Sequence, residues 1–218
     1  FLYSANTLAI DPKKNYRLSG KFRTVPGTKP STLYFGVQPF DAEGRLINPT
    51  EVHAIAGTET QLAANAAAGS YKLLVKDTAK WLARKDRRVA FDVDISGEYN
   101  DLPNRTVTSG GIEAIRQTAE GWEVTLTQPL TKGWPAGTLI RQHGESARFI
   151  YCGALNEPVP EEWQTIGHTI EREHKFGIRS ARHLWRGTRY LRIILLMNFS
   201  GNNSNAALLQ DIRLEEVK

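Results

Sequence analysis

Apolar and polar residues alternate with a period of two along most of this chain. In residues 187–198, GTRYLRIILLMN, that period puts Leu191, Ile193, Leu195 and Met197 on one side, with Phe199 continuing the row. Tyr190, Arg192, Ile194, Leu196 and Asn198 fall on the other. One side is wholly apolar and the other is polar at its two ends, the pattern of a central strand with one face in a core and the other partly open. Turn-forming residues before (RGT) and after (SGNNSN) favour a strand over a buried helix. The same period runs through 9–23, with Tyr16, Leu18, Gly20 and Phe22 inward and Arg17, Ser19, Lys21 and Arg23 outward. Over 33–40, Leu33, Phe35 and Val37 alternate with Tyr34, Gly36 and Gln38, and DAEG at 41–44 closes a hairpin-type turn. Further strands are predicted at 71–75, 89–95, 112–115, 122–126, 139–140, 149–152, 163–170 and 207–217, while the alanine-rich 63–68 reads as a short helix or a connector.

Short strands punctuated by Gly, Pro and Asn, with hardly any helical period, predict an all-β sandwich. The character changes at Gly69 and the outer pattern resumes near Phe149. The predicted organisation is therefore a discontinuous sandwich, residues 1–68 plus 142–218, carrying an inserted small β-subdomain at 69–141.

Length and charge narrow this picture without redirecting it. A chain of 218 residues buries one substantial core, or one core and a satellite. The single cysteine, Cys152, excludes an internal disulfide framework and a cysteine-built zinc site, and in FIYCG it reads as packed rather than nucleophilic. The net charge of +5, concentrated at 80–88 and 172–192, permits a polyanionic partner without demanding one. No apolar run reaches membrane-spanning length, so no membrane span is expected. The start at Phe1, without a leader, reads as a processed chain or a domain excised from a larger protein.

Familiar chemical motifs are missing. There is no GxGxxG, no GxxxxGK[ST] and no HExxH, and no nucleic-acid partner is expected. His168, Glu171 and His174 do not fall on one strand face at metal-ligand spacing. DVDISG at 92–97 copies the opening of a calcium loop, but its twelfth position is Pro103 and the segment alternates as a strand. Sequons begin at Asn104, Asn198 and Asn202.

Five stretches in order, IDPKKNYRLSGKFR, STLYFGVQPFDAEGRLI, EEWQTIGHTI, WRGTRYLRIILLMN and ALLQDIRLEEV, together resemble the carbohydrate-binding-module superfamily with a galactose-binding-like jelly-roll fold, the family 4/9/22 type. They cover roughly half of the chain. The resemblance implies a non-catalytic jelly-roll β-sandwich that binds a polysaccharide or oligosaccharide, covalently linked to further domains of a secreted bacterial protein. Many relatives hold a structural calcium near the closing strand, where Asp211 matches the family's aspartate. Trp163 and Trp185 fall where the family places core aromatics.

Glycan binding needs flat aromatic surfaces for sugar C–H faces, with amide and guanidinium groups for hydroxyls and carboxylates. Arg17, Lys21, Tyr34, Gln38, Arg192 and Asn198 all lie opposite the apolar residues of their strands. Should those strands share a sheet, the six line one concave face; the alternative is an ordinary solvated face. Trp134, in the exposed-looking turn KGWPAG, is the candidate aromatic platform, and the three cations favour an acidic polysaccharide. A jelly-roll polysaccharide lyase or hydrolase is the enzymatic alternative, and a structural or adhesion spacer domain is the third.

Overall fold

The computed structural model describes residues 1–175, 182–199, 201 and 204–217. Among the described residues, fourteen strands and one four-residue helix divide between two compact units. The first is built from Phe1–Ile47, Arg148–His174 and Arg179–Lys218 and the second from Asn48–Ala147 with Lys175–Ile178. The second unit is wider than the 69–141 insertion that the sequence predicted. Its strand β5 (Thr60–Gln61) pairs with β10 (Leu139–Gly144), and Leu62 and Ala66 belong to its core, so 48–68 and 142–147 go with it.

The first unit is a sandwich of two antiparallel sheets. In one, β13 (Tyr190–Met197) lies between β4 (Thr32–Phe40) and the short β1 (Leu2–Tyr3) and β2 (Leu8–Ala9), and β11 (Ile150–Pro158) pairs with the far side of β4. The other has β3 (Asn15–Thr24) between β12 (Gln164–Ile170) and β14 (Ala207–Val217). The residues of 187–198 thus do form an interior strand. All three of its partners, however, come from the N-terminal part of the chain, and the closing strand β14 belongs to the opposite sheet.

Alternation explains the sandwich. Tyr16, Leu18, Gly20 and Phe22 of β3 are buried, as are Leu33, Phe35 and Val37 of β4. Phe22 and Phe35 meet across the two sheets edge to face, with ring centroids 5.2 Å apart. Burying a side chain of this size is worth about 1.5–3 kcal/mol. Cys152 is wholly buried in β11, and burial pushes its thiol up to about 12, so the thiolate is disfavoured. Gly36 and Gly153 sit where β4 and β11 shift register. A Cβ on Gly36 would run into the carbonyl oxygen of Ile150, and one on Gly153 into the Phe35 ring.

In the second unit β10 lies between β5 and β7 (Arg87–Phe91), and β9 (Gly121–Leu126) between β6 (Lys72–Val75) and β8 (Ile112–Thr118). Helix α1 (Pro49–Val52) is capped by Asn48 and Glu51. The core includes Leu73, Val89, Phe91, Val124, Leu126 and Ile140. The strand predicted over 89–95 stops at Phe91: Asp92 takes a φ of 53°, and Ile95 is exposed. The Ser96 side chain, then the amides of Asn100 and Ser96, hydrogen-bond the Asp94 carboxylate and hold its pKa down at about 2, so the motif that copies a calcium loop is closed on itself. Asn104 is buried and donates to Phe91 O, which removes it as a glycosylation acceptor. Asn202 lies outside the described residues. Among the described residues no helix is long and apolar enough to cross a membrane.

Candidate functional site

The predicted ligand residues separate onto two faces. Directly opposed residues of paired strands share a face. Arg192 opposes Gln38 and Leu196 opposes Tyr34, so Tyr34, Gln38 and Arg192 lie together on the outer face of the five-stranded sheet. Arg17 and Lys21 are on β3, in the other sheet, and face out from the opposite side of the sandwich. Alternation told which side of a strand each occupied, but not which sheet the strand would join. Asn198 follows β13 with a φ of 76°, and its amide donates to Thr32 O at the end of β4.

Trp134 is not an exposed platform. Its backbone pairs with Ala66 in both directions, which draws the turn inward. The indole, 8% exposed, lies flat on Phe91 with centroids 4.5 Å apart. Trp163, expected in the core, is instead 38% exposed with the Arg23 guanidinium 5.5 Å from its ring, whereas Trp185 is buried.

The outer face of the five-stranded sheet carries a different aromatic surface. Phe1 stacks on Tyr3 at 6.1 Å and tilts onto Phe149 at 5.3 Å. Phe149 meets Tyr151 at 5.7 Å, Tyr151 meets Tyr34 at 5.5 Å, and Tyr34 meets Phe199 at 5.4 Å. These rings form a continuous chain, in which Phe1, Tyr3 and Phe199 are 58%, 45% and 67% exposed. Burial, then the neighbouring Tyr34 and Tyr3, pushes the Tyr151 phenol above its ordinary value. The Tyr34 hydroxyl donates to Asn156 Oδ1 at 3.1 Å. The spacing of two in Phe1–Tyr3 and in Phe149–Tyr151 is the sequence signal for this row. It passes unnoticed because β1 is too short to show a period.

Beyond Tyr3 the row leads to a groove of about 790 Å³ lined by Asn6, Thr7, Phe40, Glu43, Tyr190 and Arg192, among others. Arg192 bridges the two features: its guanidinium carbon is 5.2 Å from the Tyr3 ring and 5.0 Å from Phe40. Its Nε is buried with no hydrogen-bond partner among the described residues. Across the groove the 41–44 turn is fixed by Asp41, whose carboxylate accepts the amides of Glu43 and Arg45 and pairs with the Arg45 guanidinium at 2.9 Å. Arg45 also pairs with Glu43 at 3.0 Å. The arrangement can stack a flat ligand and hold polar groups with a guanidinium, a carboxylate and short side-chain hydroxyl and amide groups.

Asp211, the residue to which the resemblance assigns calcium, is paired with a lysine. Lys21 Nζ is 2.9 Å from its Oδ2, and that hydrogen bond holds the carboxyl below its usual range. Among the described residues no three His, Cys, Asp or Glu converge as metal ligands. Calcium is bound by six to eight oxygens, and here an ammonium occupies the one carboxylate the family pattern offers. Glu171 is likewise taken, by His183 at 3.1 Å.

Comparisons with family models, with curated proteins and with solved structures give no match for this chain.

Proposed function

We propose that this chain is a non-catalytic glycan-binding module of a larger secreted protein, and that its ligand lies along the aromatic row and into the Arg192 groove. The observation that supports this reading is the unbroken, partly exposed chain of rings from Phe199 to Phe1, leading to a guanidinium with an unpartnered buried Nε. Large exposed apolar patches mark interaction surfaces, and ring faces beside hydrogen-bonding groups suit sugars. A two-carboxylate hydrolysis mechanism has little support in the groove, whose lining holds one carboxylate, Glu43, already paired with Arg45.

An acidic polysaccharide remains the favoured ligand class, now on narrower grounds. Of the three predicted cations only Arg192 shares the aromatic face, so one carboxylate or sulfate per binding register is expected rather than a run of them. The test is depletion and affinity electrophoresis against neutral, uronate and sulfated polysaccharides, with a product assay on each that binds. Tyr3→Ala and Tyr34→Ala should each weaken binding about tenfold. Arg192→Ala should weaken a uronate or sulfated ligand by roughly 1.5–3 kcal/mol. Lys21→Ala, on the other sheet, should leave affinity unchanged. Binding that is indifferent to all three aromatic-face variants would overturn the reading, and product release would replace it with an enzyme.

A further inference from the structure

The second unit holds a cavity of its own. It has a volume of about 210 Å³ and lies between the segment 105–109 and the segment 129–132, over the stacked pair Phe91 and Trp134. At about 30 Å³ per molecule of liquid water, it has room for roughly seven waters or one small ring. Its lining includes two cations, Arg105 and Lys132, and no Asp or Glu. The lining of the Arg192 groove, by contrast, includes Glu43, and that of the depression at Lys21 and Arg213 includes Asp211 and Glu215; here the nearest carboxylate partner, Glu51 on Arg105, lies outside the lining.

The donors it presents can be counted. Thr106 donates its hydroxyl to Phe91 O at 2.7 Å and Thr108 to Gly110 O at 2.9 Å, so both hydroxyl protons are engaged within the protein. Arg105 is ion-paired with Glu51 through Nη1. Lys132 has no carboxylate partner among the described residues; its Nζ sits 4.3 Å from the centre of the Trp134 ring, whose π-face holds the ammonium over the cavity. Ser109 and Thr131 also line the cavity and are exposed.

We propose that this cavity binds a small oxyanion, a carboxylate or sulfate ester carried on nothing larger than one sugar ring, with Lys132 as its main charge and Ser109 and Thr131 as hydrogen-bond donors. The site belongs to the second unit alone and does not depend on the aromatic face of the first.

The experiment is a ¹H–¹⁵N NMR titration of the whole chain with sodium glucuronate, sodium sulfate and glucose, run in the Arg192→Ala background to weaken anion binding at the other face. Expected are saturable shifts of the Ser109, Thr131 and Lys132 amides with glucuronate or sulfate and none with glucose. Tighter binding of glucuronate than of sulfate would place a sugar acid in the cavity, and equal binding would place the bare oxyanion there. Lys132→Met keeps the aliphatic stem and removes the charge, and should weaken binding about tenfold while leaving amide dispersion intact. Thr131→Val is the second variant and should weaken it in the same direction. Absence of shifts at these amides with both anions, equal shifts with glucose, or unchanged affinity in both variants would overturn the proposal.

Discussion

His143 shows how one residue can be fixed in one protonation state by its neighbours. It is wholly buried, with Nδ1 2.7 Å from Thr50 O and Nε2 3.1 Å and 3.0 Å from Arg141 Nε and Nη2. A ring nitrogen that accepts from a guanidinium carries no proton, so Nδ1–H donates to Thr50 and the ring is neutral. Burial, then the charge of Arg141, pushes its pKa down to about 3, and burial also lowers that of His53. The unfolded chain takes up these protons near pH 6.5 while the folded chain does not, so stability falls as pH drops below 6.5. A group shifted this far contributes a slope of up to about 1.4 kcal/mol per pH unit. Asp94 acts only below its usual carboxylate range and leaves the interval from pH 5 to 6.5 to the histidines. Urea midpoints across that interval should fall with pH, and His143→Gln should flatten the decline; an unchanged slope in the variant would refute the assignment. Arg141 also holds Asp101 at 2.7 Å, the side chains being 0% and 8% exposed. Removing one member of such a pair leaves a buried charge, so Arg141→Ala should cost about 3–5 kcal/mol in denaturant unfolding.

At the scale of the element, the register shifts of β11 against β4 depend on missing side chains. Gly36→Ala would put a methyl group against Ile150 O, and neighbouring backbone has no rotamer with which to yield. The variant should lose about 1–3 kcal/mol, as overpacked sites do, with amide exchange speeding up first along β4 and β11. Strand faces of this kind were legible in the sequence. Tyr16, Leu18, Gly20 and Phe22 are buried where the period of two placed them, and 190–197 is an interior strand. What the period cannot carry is partnership. Nothing in Arg17 or Lys21 tells that β3 pairs with β12 and β14, away from Tyr34 and Arg192. Two-residue strands such as β1 are too short to show a period, which hid Phe1 and Tyr3. Trp134 misled because Gly133 and Pro135 announce a turn and say nothing of whether another segment, here Ala66, will fold over it.

At the scale of the molecule, the second unit has its own core and returns the chain to the first after Ala147. Replacing 48–147 by a short Gly/Ser linker should leave a cooperatively unfolding sandwich, since loop-closure entropy changes slowly with length. Replacing only 69–141 should not behave so cleanly. It strands Leu62 and Ala66 without Leu73, Val75 and Trp134, and dye binding to exposed apolar surface should report this. A broad, non-cooperative transition in the first variant would show that the sandwich needs the second unit.

The pairing of β4 with β13 joins Phe40 to Tyr190 and Leu33 to Met197. During synthesis on a ribosome, β4 emerges more than a hundred residues before its partner. At about 5–20 residues per second that interval lasts roughly 8–30 s. Until β11 follows, about 110 residues after Phe40, the apolar side of β4 (Leu33, Phe35, Val37) waits unpaired in the nascent chain, and by then all of 48–147 has been synthesised. The later segment is therefore expected to fold before the earlier one. Ribosome-stalled chains ending near residue 180 should show a protease-resistant 48–147 fragment beside a cleavable N-terminus.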